Sequence, residues 1–550
     1  MSIDTREHAT NLTQEQQILK SAGVVTLLTI VSRFFGYARD LAIAILLGTS
    51  LAADAFVIAF RIPNLLRRLT AEGAMTGAFV PVFSQYRLER RDESWDFANK
   101  MFWTLGAVLA AVTILGIIFA PAIVRVFTLL SRAPEQWSLA VLLTRITFPY
   151  CTLIALTALC SAVLNTLRVF GLPAATPIFL NLAIITAAVA AWLFDYRQVA
   201  VALALGVVVG GLLQLLVQVP ALVRRGMHFR FGVSFRHPGI RRVTRLILPA
   251  FAGVGIYQVN VLISTIFATS AWVPQGSVAA LYYADRVMEV ALGAYAISVA
   301  TVILPVMAQQ AAERNLAAVK QTLAFSLRNV GFIILPAAVG LVVLNAPIIR
   351  VLFEHQAFGS QSTALTARAL AFYALGLPAF AAVRLVVQAF YALQDTATPV
   401  RMAAVALVVN IVLCYLLVRP LQHAGLALAT SLASYVNFFA LYVILRQRLG
   451  AIHERAVGVS LLRAGVASTG MALLCWGLAR YFGLMTLNSF AALVVVFGIT
   501  LLVALGVYVF LAWLLRAEEL SEVYTLLAGR RVRVPVEGAQ VASPSATKNK

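Results

Sequence analysis

A chain of 550 residues that is 61% hydrophobic and 12% charged lies far below the roughly 25% charge of soluble domains, which excludes an ordinary soluble enzyme. Apolar runs of about 20 residues recur from end to end, each long enough to cross the roughly 30 Å hydrocarbon core as a helix. The expected fold is therefore an all-α polytopic membrane protein with about 14 transmembrane helices. The net charge of +21 does not signal nucleic acid, because the basic residues collect in short segments between spans, where they encode orientation.

Residues 1–21 are polar and weakly amphipathic and are expected on the cytoplasmic surface. They lack the charged leader, short apolar core and cleavage site of a signal peptide, so the first span is expected to be retained. Six spans follow at 22–48, 52–82, 97–126, 137–165, 171–194 and 198–223, the second broken at Pro63, and they form an N-terminal lobe, 22–223. The segment 224–245 carries Arg224, Arg225, Arg230, Arg236, Arg241, Arg242 and Arg245 and is the clearest boundary. A second lobe, 246–446, has spans at 246–270, 277–309, 322–352, 364–392, 397–419 and 423–446. Two additional helices, at 457–482 and 487–515 within 447–515, precede a polar tail, 516–550, whose Ala, Ser, Pro and Lys content predicts disorder.

With the N-terminus inside, the cytoplasmic connectors hold Arg87, Arg90, Arg91 and Lys100, then the seven arginines of 224–245, then Arg446, Arg448 and Arg455, while the opposite connectors hold little beyond Arg132 and Arg197. This asymmetry places both termini in the cytoplasm. The two sets of six spans also share a local pattern: Leu164–Pro173 and Phe390–Pro399 each follow a span with an early proline, Pro149 or Pro378, and each ends on a proline that opens the next. Repeats of this kind are how transporter folds are commonly built.

Cys151, Cys160, Cys414 and Cys475 lie inside apolar spans without the spacing of a zinc or redox site. The six histidines stand at span ends or in connectors, none at metal-ligand helical spacing. No metal, cofactor or nucleotide-binding P-loop is expected, so transport must draw on the membrane potential or an ion gradient.

The chemistry concentrates in the first two spans and the eighth. Arg33 and Asp40 are seven apart and return to one helix face, with Gly36 between them and Arg39 pointing elsewhere. Asp54 and Arg61 repeat the spacing, and beyond Pro63 come Asn64, the adjacent Arg67 and Arg68, and Glu72. In Leu281–Glu289, Tyr282, Arg286 and Glu289 share a face, with Asp285 beside them. Arg61 and Arg68 read equally well as residues that snorkel or pair. Arg33, Arg39, Arg67 and Arg286 are different: four central charges at about 3 kcal/mol each amount to on the order of 12 kcal/mol, comparable with a domain's whole stability, so a wet cavity and a ligand are expected to offset them. The planar, permanently charged guanidinium suits phosphate or carboxylate, which implies an anionic cargo.

Ser32–Asp40 (SRFFGYARD), Asp54–Ala74 (DAFVIAFRIPNLLRRLTAEGA) and Tyr282–Glu289 (YYADRVME), with Gln394–Val400 (QDTATPV) and Pro420–Ala429, closely resemble the MviN/MurJ family of lipid II flippases, over about residues 20–515. The resemblance implies two six-helix lobes around a central cavity, with two further helices forming a groove for a lipid tail. It places the family's functional residues on Arg33, Arg39, Asp54, Arg67 and Arg286, with Glu72 and Glu289 as gating partners; Asp40, Asn64, Arg68 and Asp285 are expected in support from their positions beside these. Asp395 is a candidate for the sodium site of some members, but its neighbours Leu393 and Val400 supply no ligand set, and no metal is assigned. The implied activity is movement of the undecaprenyl-diphosphate-linked peptidoglycan precursor across the bacterial inner membrane, with possible contacts to cell-wall synthesis proteins. The alternatives fit less well. A cation-coupled drug exporter wants acids and aromatics rather than arginines, a membrane glycosyltransferase wants a metal-binding acidic motif, and a structural scaffold leaves the central charges unexplained. A flippase for another polyprenyl-linked glycan stays open.

Overall fold

A bilayer core offers no water to backbone N–H and C=O groups, so spanning segments must bond internally. Among the described residues of the computed structural model, 4–71, 74–131, 137–487 and 489–527, every regular element is a helix. The first stretch comprises α1 (Asp4–Leu47), α2 (Leu51–Ala71), α3 (Ala74–Glu89), α4 (Arg91–Ile118), α5 (Ala120–Phe127), α6 (Ser138–Thr147), α7 (Pro149–Thr166), α8 (Gly171–Leu193), α9 (Val199–Leu216) and α10 (Val219–Val223). α11 (Pro238–Ala268) begins inside the segment read as the basic connector, so that Arg241, Arg242 and Arg245 are helical, and after it come α12 (Ser277–Ala312), α13 (Leu316–Val343), α14 (Asn345–Phe353), α15 (Ser360–Ala392), α16 (Ala397–Leu421), α17 (His423–Leu449), α18 (Glu454–Tyr481), α19 (Phe490–Leu514) and α20 (Glu518–Leu527).

Eleven described segments are long and apolar enough to cross a membrane. The expected count of about 14 is not reproduced by that measure, since the stretches at 22–48, 52–82 and 246–270 are not among them. Arg33, Arg39 and Asp40 crowd the first, while the side chains of the second and third lie partly outside the described residues.

Two compact units divide the chain. One gathers Met1–Val287, Ala346–Tyr373 and Ala403–Ala433; the other gathers Met288–Asn345, Ala374–Met402 and Ser434–Lys550. The core of the first includes a run of stacked aromatics, Phe79, Phe83, Phe97 and Tyr86.

Pro63 does not break its helix, contrary to expectation, and α2 runs through it to Ala71. A proline removes the N–H that would bond the carbonyl four residues back. Here that carbonyl is Ala59, and the Thr147 hydroxyl donates to it at 3.3 Å. The same solution recurs at Pro336 in α13, where the Tyr508 hydroxyl donates to the Phe332 carbonyl at 2.5 Å. Tyr508→Phe should therefore strand a buried acceptor and cost about 1–3 kcal/mol, whereas Pro336→Ala supplies the missing N–H. A double-mutant cycle read by thermal unfolding should show Tyr508→Phe nearly silent in the Pro336→Ala background. Equal losses in both backgrounds would mean that the hydroxyl does not serve the freed carbonyl.

The two segments matched in sequence turn in the same way. α7 ends with Arg168 at φ 61° and a Val169 N–H to Leu164 carbonyl bond of 2.9 Å; α15 ends with Gln394 at φ 60° and an Asp395 N–H to Phe390 carbonyl bond of 2.9 Å. This is a left-handed helix stop, which satisfies carbonyls the helix end leaves open.

Ten residues within the segment read as a disordered tail form α20. Arg328 of α13 donates from Nε to Glu519 at 2.7 Å and from Nη2 to Glu518 at 2.6 Å, and Asn329 donates to Glu522 at 2.7 Å. Burial alone would raise the pKa of Glu519, but its own backbone N–H and Arg328 act against that and hold the carboxyl below its ordinary value. Composition does not reveal such a latch, because its partner lies 191 residues away. The expected disorder of 528–550 falls outside the described residues.

A buried arginine cluster as the candidate functional site

The site grows from the charged stretch within the apolar half of α1. Arg39 and Asp40 are sequence neighbours, and the long arginine stem folds back so that Nε and Nη2 both donate to Asp40 Oδ1, at 3.0 and 2.7 Å. The remaining fork nitrogen, Nη1, donates to Asn181 Oδ1 of α8 at 3.0 Å, and Asn181 Nδ2 donates to the Ser32 carbonyl at 3.3 Å. From α12 the Tyr282 hydroxyl donates to the same Asp40 oxygen at 2.9 Å. The Arg286 guanidinium, one helical turn on, sits 4.9 Å from the centre of the Tyr282 ring, and Arg39 lies 5.7 Å from that of Phe60. Asp40, Asn181 and Tyr282 are buried.

These contacts revise the helical-face reading. Arg33 is exposed, and the acid shared by that face is engaged by Arg39 instead. Helical spacing places Cβ atoms, but a side chain as long as arginine reaches its neighbour's carboxylate regardless of face. Asn181 was missed; its signal was a lone carboxamide in the apolar stretch Ile178–Ile185.

Asp54 is held by the backbone at the start of α12. Its two oxygens accept from the backbone N–H groups of Gly276 and Ala279, each at 2.8 Å. It thereby satisfies N–H groups that the first turn of α12 leaves open. Nearby, Thr49 and Ser362 share a hydroxyl hydrogen bond of 2.8 Å, and the Ala357 N–H donates to the Ile45 carbonyl at 3.1 Å. Three turns from distant parts of the chain, around Thr49, Gly276 and Ala357, are thus tied together within one unit. Arg61, seven residues on from Asp54, donates to the Thr265 hydroxyl.

Asn64, Asp285 and Glu289 are half-buried. The side chains of Arg67 and Arg68, and all of Glu72, fall outside the described residues, so the roles expected of them stay expectations.

Asp395 caps α16. Its oxygens accept from the N–H groups of Ala397 and Thr398 at 3.0 and 2.9 Å, from the Thr398 hydroxyl at 2.6 Å and from Arg448 Nη1 at 2.5 Å. The Thr398 hydroxyl and N–H, then Arg448, lower its pKa from 3.8 to about 2. A depressed carboxyl stabilises the fold above its unfolded value and loses that contribution as pH falls through its folded one. Asp395→Asn should therefore lower the thermal midpoint by a constant amount at neutral pH, and the gap should close only below about pH 4. A gap that varies between neutral and mildly acidic pH would contradict this assignment.

The chain is similar to known proteins over most of its length. A family model described as "Lipid II flippase MurJ" matches residues 43–496. A Vibrio cholerae protein named "Probable lipid II flippase MurJ" is 35% identical over 520 residues, 90% of this chain and 98% of its own. A Burkholderia cenocepacia protein named "Lipid II flippase MurJ" is 36% identical over 460 residues, 82% of this chain and 88% of its own. A solved structure described as "Lipid II flippase MurJ, inward closed conformation" superposes with a TM-score of 0.74 at 25% identity, covering 92% of this chain and 99% of that one. An inward-facing multidrug resistance transporter of the MATE family shares the fold, with a TM-score of 0.64 at 15% identity over 79% of this chain and 99% of its own. With a family match over residues 43–496 and relatives about 35% identical over most of both chains, this chain belongs to the MurJ family of lipid II flippases.

Proposed function

We propose that this chain is a lipid II flippase that moves the undecaprenyl-diphosphate-linked disaccharide pentapeptide from the cytoplasmic to the outer leaflet of the inner membrane, with both termini cytoplasmic. The observation that carries the reading is the Arg39–Asp40–Asn181–Tyr282 cluster with Arg286 beside it. A charge this far into apolar sequence is costly, and a carboxylate within reach of a guanidinium fork is the group a diphosphate oxygen would replace. Asp40 in this view is an internal stand-in for cargo, and Arg33, Arg39 and Arg286 hold the headgroup once it arrives. Arg67 and Glu72 engage as access alternates. The chain makes and breaks no covalent bond. No cofactor is required, and the membrane potential or an ion gradient supplies the direction: an anion moving outward across an inside-negative membrane gains about 2.3 kcal/mol per charge per 100 mV. Cell-wall synthesis proteins are the partners that would consume the product.

The test uses the full chain in proteoliposomes loaded with fluorescent lipid II, with exposure of the headgroup on the far side followed by an added enzyme that cannot cross. Exposure should require the chain, rise with an imposed potential and be absent for Arg39→Ala. Movement of a cationic drug without movement of lipid II would favour the exporter reading instead.

A further inference from the structure

We propose that the connector between α10 and α11 is a docking strap for an anionic lipid leaflet, with residues 227–236 laying an apolar edge into the membrane interface and a basic edge onto the phosphates. The segment reads MHFRFGVSFR. Its odd positions, Met227, Phe229, Phe231, Val233 and Phe235, are apolar, and its even positions are polar, basic or glycine. That period of two belongs to an extended chain with unlike faces, yet the segment pairs with no strand among the described residues.

It is pinned to α4 instead. The Arg230 N–H donates to Asn99 Oδ1 at 3.3 Å, and the Ser234 N–H donates to Thr104 Oγ1 at 2.9 Å. Phe229 packs edge-on against Phe102 at 5.2 Å and Phe231 against Trp103 at 5.1 Å. These rings sit just past Lys100, the last charged residue of the membrane-spanning helix α4, where the Lys100–Asp96 ion pair is still exposed. Aromatic side chains at that level are characteristic of the membrane–water boundary.

Burial falls away along the strap: Met227 is buried, whereas Phe231 is 80% and Phe235 62% exposed. Water is a poor neighbour for two such rings, so something apolar covers them. The charge identifies it. Arg230 and Arg236 are exposed within the strap itself, and Arg241 and Arg245, also exposed, follow in the first turns of α11; aromatic and basic side chains in alternation suit acyl chains below a layer of phosphate.

The experiment places a nitroxide on single cysteines at 230 to 235 in the full chain, in a background without Cys151, Cys160, Cys414 and Cys475, reconstituted in phosphatidylcholine with or without phosphatidylglycerol. Labels at 231, 233 and 235 should collide with oxygen and those at 230, 232 and 234 with a water-soluble relaxer, with the contrast sharper in phosphatidylglycerol. Without any cysteine substitution, native mass spectrometry should show phosphatidylglycerol retained over phosphatidylcholine, and Arg230→Gln with Arg236→Gln should reduce that preference by about thirty-fold, two charges near an anionic surface being worth roughly that. Soluble glycerophosphate should not compete. Equal accessibility at odd and even positions, an unchanged preference in the double variant, or competition by glycerophosphate would each overturn the strap. Protection of the odd positions only when another protein is added would assign the face to a protein partner instead.

Discussion

Replacing Arg39 and Asp40 together by apolar residues of similar size, Arg39→Met with Asp40→Leu, should leave the chain within about 2 kcal/mol of its natural stability, the remaining loss reflecting the Asn181 and Tyr282 groups left without partners, and should abolish function. A buried ion pair repays its desolvation only partly, so exchanging both members for hydrophobic ones is near neutral, whereas removing one strands the other. Asp40→Leu alone should therefore cost about 3–5 kcal/mol, and adding Arg39→Met should recover most of it. Function follows the guanidinium rather than the stability. Arg39→Lys keeps a charge but loses the planar fork that contacts Asp40 through two nitrogens and Asn181 through the third, so it should complement only in part. Growth of a strain depleted of its own flippase, with membrane levels quantified for each variant, separates the outcomes. Normal growth on the apolar double variant would remove this cluster from cargo recognition.

The second large effect is expected at the tied turns. Gly276 has φ +86°, and a Cβ there would collide with the backbone carbonyl oxygen of Thr49. Gly276→Ala combines a left-handed conformation, costing about 1–2 kcal/mol, with a backbone collision of about 1–3 kcal/mol. Asp54→Ala removes the acceptor from two backbone N–H groups, at about 1–3 kcal/mol each, and Asp54→Asn, which keeps one good acceptor oxygen, should fall between alanine and the natural residue. Each variant should open the contact between Thr49 and Ser362, so a cysteine at Thr49 should react with a polar thiol reagent faster than in the otherwise natural chain. Unchanged reactivity together with unchanged thermal stability would mean that Asp54 does not hold these turns.

Much of this was legible in the sequence. The helical class follows from apolar runs that leave the backbone no other way to satisfy its polar groups, and two short stretches of similar pattern pointed to a likeness between the turns after α7 and α15, though not to their left-handed geometry. The charged residues of α1 and α12 drew attention because charge is scarce where hydrocarbon is the solvent. Their partners were not legible. Asn181 is 142 residues from Arg39, and Tyr282 is 242 from Asp40. Periodicity tells which residues share a helix face, and it is silent about which other helix lies opposite.

Pro63 shows the same limit from the other side. Local chemistry predicts a break, since proline removes a hydrogen bond, and only the packing of α2 against α6 brings the Thr147 hydroxyl to the orphaned Ala59 carbonyl. Asp54 likewise has the spacing of an ion-pair residue in sequence, yet the fold delivers two backbone N–H groups from the start of α12 to its carboxylate. The sequence by itself determined the helical, membrane-embedded class and which arginines and acids had to find company within it. Tertiary structure decided the company, because a buried charge takes whichever donor or acceptor helix packing brings within hydrogen-bond reach.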